Sequence, residues 1–412
     1  MKGMRMSMTP RVVGGTVAPL LDVDYTTYPL SSGANSATIN SAISAVGGTF
    51  TRASSASVQT SASAMVTTGI ASNDARIGNA GYGQGLVLER ARTQLMPLIT
   101  TPGEYIAYNC TDNGLVDVGP NGSTLSREVA VVACPNPGNA SCMYKGAAIG
   151  SATLHAASAW YKGEAGGEAT YLLLVNSGNT LPQSTACSLT TSWQRFQAAR
   201  VTSDYPGNVN WFIEMGTDRG DPAQSATLAA TINMAYPQLE NSWCATEWVS
   251  SGTCAIDLHG FTSTTPLLDG NRIGIELTMV MKYASTAIPV GSKVSLWSVD
   301  ANNRCYIENS AGTLIARCIV AGVTYSTGVA PAWAQFDKVT FWCEAGGGSL
   351  STKMAYRIAS GAEVVLGTGA AQGTVPSGVA LNICHFAGAD AHYLWLQRET
   401  FYASGQKPSW VS

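Results

Sequence analysis

From Gly274 to Tyr283 the chain reads GIELTMVMKY, and apolar side chains fall on every second position. Ile275, Leu277, Met279, Met281 and Tyr283 point one way; Glu276, Thr278 and Lys282 point the other. A period of two fits a strand with one buried and one wet face and cannot line one side of a helix. KVTFWC repeats the pattern with Val339, Phe341 and Cys343 inward, which leaves Trp342 on the side of Lys338 and Thr340. Further strands are predicted at KVSLWSVD, TKMAYRIA, AEVVLG, ALNICHF and HYLWLQRETFYA, each bounded by Gly, Asn, Ser or Pro. In the first half NVNWFIEM alternates as well, with only Phe212 breaking the pattern. No helix of any length is needed.

So many short strands point to an all-β chain of two antiparallel β-sandwich domains of jelly-roll type, preceded by an extended N-terminal arm. The length of 412 residues supports the division, because one hydrophobic core rarely serves so long a chain. Residues 1–48 are rich in Met, Ser, Thr, Gly and Ala without sustained periodicity, and read as the arm. Residues 49–252 form the first sandwich and 253–412 the second, with SSGTC at Ser250–Cys254 as the linker.

Composition removes several functions. A net charge of −3 gives no electrostatic footprint for nucleic acid. TYLLLV at Thr170–Val175 is among the most apolar stretches and is far shorter than the ~20 residues of a membrane span. The start lacks the apolar core of a signal peptide, and a soluble product is expected. The Asn-x-Ser/Thr triplets at Asn109, Asn121 and Asn139 are therefore read as chance.

Ten cysteines fit five disulfides or none. No C-x-x-C spacing occurs and the four histidines stand apart, so no zinc site is expected. In CYIENSAGTLIARC a turn at Ser310–Thr313 would set Cys305 opposite Cys318 on a hairpin, within disulfide reach. Cys134 and Cys142, which flank PNPGNAS, are a second candidate pair. Equally, all ten are ordinary small apolar residues of a protein made in a reducing cytosol.

Catalytic signatures are missing. There is no G-x-x-x-x-G-K-[ST] phosphate loop, H-E-x-x-H or G-x-S-x-G. A glycosidase needs two carboxyl groups about the sugar bond, and Glu214, Asp218, Asp221, Asp300, Glu308 and Glu344 read as isolated solvated acids. No enzyme activity is expected. Asp300, Asn302 and Asn303 in SVDANNR could offer oxygens to Ca²⁺, but an Asx-rich turn accounts for them, and no cofactor is expected. Arg219-Gly220-Asp221 is read as a turn rather than an integrin-type ligand.

The succession FTRASSASVQT, GLVLERARTQL (Gly85–Leu95), GPNGSTLSREV, SAWYKGEAGGEATYLLLV, LTTSWQRFQ and AYPQLENSWCATEWV (Ala235–Val249) resembles a module of tailed-bacteriophage virion proteins. There a strand like GLLIEEARTNL introduces a carbohydrate-binding-module-like jelly roll, a W-x-R strand crosses it, and a Q-L-E strand closes it. The family's closing Tyr-Ile-Pro is replaced here by Glu247-Trp248-Val249. The second half resembles the concanavalin A-like, laminin-G-type sandwich that follows this module. The resemblance implies a structural component of a phage particle, a head fibre, decoration or tail appendage. It also implies a trimer anchored to other virion proteins through its arm and holding host or environmental glycan. Trp342 and Trp333 are the candidate sugar-stacking residues, since such binding needs exposed aromatic rings. The alternatives are a purely structural capsid or tail protein, favoured by HYLWLQ with its apolar residues on both faces, and a polysaccharide depolymerase.

Overall fold

The computed structural model describes residues 19–32, 35–67, 70–95, 105–132, 141–145, 154–174, 183–201, 229–248, 252–326, 331–347, 351–371, 373–386, 393–403 and 406–411. The fold is all-β, and its sheets are antiparallel sandwich layers, as the alternation requires. The first part of the predicted arm (residues 1–18), NVNWFIEM and Arg219-Gly220-Asp221 lie outside the described residues.

The chain forms two compact units that are not the three consecutive spans read from the sequence. One gathers residues 1–55, 69–91 and 255–412; the other holds 56–68 and 92–254. The predicted linker does mark a crossing point, but GLVLER belongs with the C-terminal half. So does the end of the supposed arm, where Leu21–Asp24 is a strand on Leu394–Phe401 and Gly48–Thr51 is a strand on Leu258–Phe261.

One sheet of the discontinuous unit runs in the order Val364–Ala371, Ser351–Ile358, Lys338–Gly346, Arg272–Met281, Leu394–Phe401, Gln84–Leu88, Ile77–Asn79. The other runs Gly48–Thr51, Leu258–Phe261, Leu381–Ile383, Lys293–Asp300, Asn303–Ser310, Thr313–Val320, Val323–Ser326. Ile275, Leu277, Met279, Val339, Phe341 and Cys343 are buried as the alternation predicted. HYLWLQ is apolar on both faces because Leu394–Phe401 lies inside its own sheet, between Arg272–Met281 and Gln84–Leu88. Its burial is accounted for within the unit, without a sister subunit.

A helix, Ser36–Ala45, was not foreseen. Ile39 and Ile43 recur at a spacing of four and are buried, and Gly47 at φ +76° ends the helix in the left-handed conformation that glycine adopts freely. Ser, Thr and Asn between the isoleucines hid that spacing.

Buried charges tie the distant segments of this unit together. Arg76 pairs with Glu89 (3.0 Å) and with Asp257, Arg52 with Asp257 (3.3 Å), and Lys282 with Glu89 (3.1 Å). Glu89 is the acid of GLVLER, so the motif residue that looks like a surface group is the hub of a desolvated network. Beside it in the same unit, Tyr25 donates to Glu399 (2.6 Å) and His259 Nε2 lies 3.0 Å from the same oxygen. His259 Nδ1 faces the Thr49 carbonyl at 3.0 Å. Nε2 also meets the Tyr25 hydroxyl at 3.0 Å, which can donate or accept. Burial opposes the imidazolium charge, but Glu399 outweighs it and the His259 pKa is raised.

In the other unit the large sheet runs Gln194–Val201, Leu154–Gly163, Ala230–Glu240, Leu125–Val131, Cys110–Val118. Val129, Ala157, Ala159, Tyr161, Ile232 and Met234 pack one face against Met143, Leu172, Cys187 and Leu189 of the smaller sheets. Alternation sends Trp160 and Ala235 to the other face, where they join Met65, Trp193, Tyr236 and Trp248. The closing motif is explained here. Glu240 accepts from the Thr246 amide and hydroxyl and from Gln238, each at 2.7 Å, and Arg195 of the W-x-R strand holds the Thr246 carbonyl. Trp243 and Trp248 are buried, and the segment after Glu240 turns back over the sheet end.

Candidate functional site

Neither predicted sugar-stacking residue presents a ring to solvent: Trp342 is 1% exposed and Trp333 4%. The face assigned to Trp342 was right, since Thr278 and Thr340 hydrogen-bond on that same side. The C-terminal segment covers it, with Val411, Trp410 and Tyr402 packed on the indole and Tyr402 edge-on at 5.4 Å. Trp333 donates its indole N–H to the Tyr283 carbonyl (2.9 Å) and meets Tyr283 and Phe341 edge-on. Both are packing residues.

The exposed aromatic surface of this unit lies elsewhere, at Tyr82, which is 48% exposed. Ile77–Asn79 and Gln84–Leu88 form a hairpin with Asn79 opposite Gln84, and Tyr82 sits at its tip. The flanking glycines, Gly81 at φ +91° and Gly83 at φ +108°, take backbone angles that other residues reach only with strain. A Cβ at Gly83 would also stand 2.3 Å from the Gln397 amide. The GYG triplet was therefore a turn signal carrying an aromatic residue.

Tyr82 lies flat on Phe336, with centroids 4.1 Å apart and planes 5° apart. Phe336 is stacked in turn on buried Trp395 at 6.3 Å, and the Lys282 ammonium is 5.0 Å from the Trp395 ring. Tyr82 is itself 6.5 Å from Trp395, so the three rings form one cluster, which Lys282 joins to the Glu89 network. Phe336 has φ +66°, a left-handed conformation costly for an aromatic residue. Its amide donates to the Met281 carbonyl (2.7 Å), the Met281 amide donates to the Asp337 carbonyl (3.0 Å), and the Asp337 carboxylate takes the Ala334 amide (2.7 Å). These bonds hold the strained turn and fix the ring under Tyr82. With one face on Phe336, Tyr82 keeps half its surface exposed. Gln335 and Asp337 flank Phe336 in the loop, Gln335 donating to the Lys282 carbonyl (3.0 Å). A rigid flat ring beside polar side chains is what stacking on a pyranose requires.

The remaining sequence candidates resolve differently. Cys305 and Cys318 are opposite one another in register, as the hairpin predicted, but both are free thiols, and Cys343 joins them to bring three sulfurs within 4.8 Å. These are the residues that could hold a metal. Cys142 is buried, and its carbonyl accepts from the Cys110 thiol; Cys134 lies outside the described residues, so that pairing has no geometry. Asp300 accepts from the Asn302 amide (2.7 Å) and the Asn303 side chain (3.0 Å), an Asx turn that uses its oxygens internally. Glu308 pairs with Arg317 and Glu344 with Arg272, while Glu214, Asp218 and Asp221 lie outside the described residues.

No known family model matches the chain, and no curated protein is similar to it in sequence. Among solved structures it is similar to the CBM22-1 xylan-binding domain of Paenibacillus barcinonensis Xyn10C, at 12% identity and a TM-score of 0.25, over 38% of this chain and 94% of that one. The tandem CBM22-1–CBM22-2 domain of the same protein is similar at 10% identity and a TM-score of 0.28, over 79% of this chain and 94% of that one.

Proposed function

We propose that this protein is a non-catalytic glycan-holding protein whose contact surface is the Tyr82 hairpin tip, carried as a structural component of a bacteriophage particle. The observation that carries the glycan reading is the exposed Tyr82 ring, fixed flat on Phe336 by a strained turn. Strain maintained under an exposed ring is a reason to look for a ligand there. The phage reading is supported by the order of the six motifs, and trimeric assembly through the N-terminal arm belongs to the same reading. Many copies on one particle would turn weak contacts into useful avidity.

The deciding experiment is binding of the full-length protein to a glycan array and to bacterial envelope polysaccharide, with mass-spectrometric inspection of the bound polymer. Binding without cleavage that Tyr82→Ala weakens about fivefold supports the reading; such a loss matches the ~1 kcal/mol of a stacked aromatic. Binding unchanged in Tyr82→Ala removes this site, and cleavage of the polymer makes the protein a depolymerase.

A specific observation favours a second, purely structural reading. In the other unit Ile106, Tyr108, Leu115, Val116, Val118 and Leu125 are exposed, and Cys110–Val118 is the last strand of its sheet among the described residues. An apolar edge of that kind fits contact with protein better than with sugar.

A further inference from the structure

The sulfur cluster joins the two sheets of the discontinuous unit. Cys305 and Cys318 project from neighbouring strands of one sheet, and Cys343 projects from Lys338–Gly346 of the other. All three are buried, and their sulfurs lie within 4.8 Å of one another. Met354, the cross-strand partner of Cys343, places its thioether 3.5 Å from the Cys305 sulfur. Trp297, the cross-strand partner of Cys305, adds a buried indole N–H with no hydrogen-bond partner among the described residues.

Buried cysteine normally packs against hydrocarbon as a small apolar residue. Here four sulfur atoms from two sheets converge beside a buried indole N–H. A disulfide would use two sulfurs and leave the third, the thioether and the indole without a role. A single metal ion uses them all, with the indole as an outer donor to a metal-bound sulfur. Metal–sulfur bonds of ~2.3 Å place trigonal sulfurs about 4 Å apart, which the observed spacing admits. Zn²⁺ favours four strong donors, whereas thiolate with thioether suits Cu(I).

We propose that Cys305, Cys318 and Cys343 form a trigonal sulfur site for one Cu(I) ion, with Met354 as a weak fourth donor. Binding replaces the thiol hydrogens by the metal: Cu⁺ and three Cys–SH give Cu(S–Cys)₃ and three protons released to solvent, with no electron transferred. Because the sulfurs are buried, the ion enters as the sheets close, and loading is coupled to folding.

The test refolds the reduced full-length protein under nitrogen with Cu(I) supplied as its bicinchoninate complex. The expected result is one copper retained per chain with a sulfur-only shell by X-ray absorption. Cys343→Ser and Cys318→Ser should weaken retention by about 100-fold or more and Met354→Leu by about tenfold, since even outer-shell changes cost 10 to 100-fold. Cys187→Ser, in the other unit, should change nothing. Wild-type protein that folds without copper overturns the proposal whatever the variants do. So do preferential retention of Zn²⁺, a two-hydrogen mass loss marking a disulfide, or equal retention by folded Met354→Leu and Cys343→Ser.

Discussion

The two units bury acids in different company. In the discontinuous unit Glu89 receives a guanidinium and an ammonium, and Asp257 receives two guanidinium groups. In the other, Glu240 accepts from an amide N–H, a hydroxyl and a side-chain amide, and buried Glu247 faces Arg195 at 3.8 Å. In the discontinuous unit ionic contacts join segments far apart in sequence, Arg52 with Asp257 and Lys282 with Glu89, while Glu240 closes a loop only six residues away at Thr246. The lesson is one of scale. A unit assembled from separated pieces is pinned across long stretches of chain by charges that are costly to leave unpaired, whereas the local return at Glu240 also draws on neutral donors.

Removing the charged hub should have the largest effect. Glu89→Ala leaves Arg76 and Lys282 without that carboxylate in the core, and a loss of about 3–5 kcal/mol is expected, read as a lowered denaturation midpoint. A loss below ~1 kcal/mol would show that the ionic network does not pin the unit.

Acid titration should sharpen the picture within the same unit. Burial holds His385 neutral, and its pKa falls to about 4, while its Nε2 donates to the His259 carbonyl (3.1 Å). The stability it contributes is complete above the ordinary value of 6.5 and is lost as pH falls toward 4, up to about 3 kcal/mol. His259 has the opposite sign: its contribution is complete below 6.5 and is lost as pH rises through its raised value. Midpoints measured from pH 4 to 9 should lose their acid-side slope in His385→Gln and part of their alkaline-side slope in His259→Gln. Identical profiles for the two variants would refute the assignment.

Glu240→Gln should cost less than the Glu89 change, about 1–3 kcal/mol, because one donor from Thr246 or Gln238 loses its partner. A larger loss than in Glu89→Ala would reverse the comparison. Smallest of all, Val116→Lys on the exposed edge should move stability by no more than ~0.5 kcal/mol yet lower self-association in sedimentation, if that edge meets protein.

The sequence spoke clearly wherever one strand or one hairpin contained the whole argument. The inward set from Ile275 to Met281, the side taken by Trp342 and the register of Cys305 with Cys318 all follow from alternation and one turn. What escaped depends on contacts across sheets or over hundreds of residues. Nothing near Trp342 announces that Val411 and Trp410 will fold over it, and nothing near Cys305 announces Cys343. Tyr82 was legible only as a residue between two glycines; the ring beneath it comes from a loop about 250 residues later.

Leu394–Phe401 lies inside its sheet, and its neighbours include Leu21–Asp24, Gln84–Leu88 and Arg272–Met281. A ribosome therefore delivers one of the first strands of that sheet and then most of the chain before the strand that joins them appears. Until that moment Leu21–Asp24 and Gln84–Leu88 wait with open edges, while residues 92–254 have already emerged in full. A nascent chain stalled before Leu394 should hold only one finished unit, and a fragment starting at Gly252 lacks Gly48–Thr51 and Gln84–Leu88. Emergence of Leu394–Phe401 is the event that lets the second unit close its sheet.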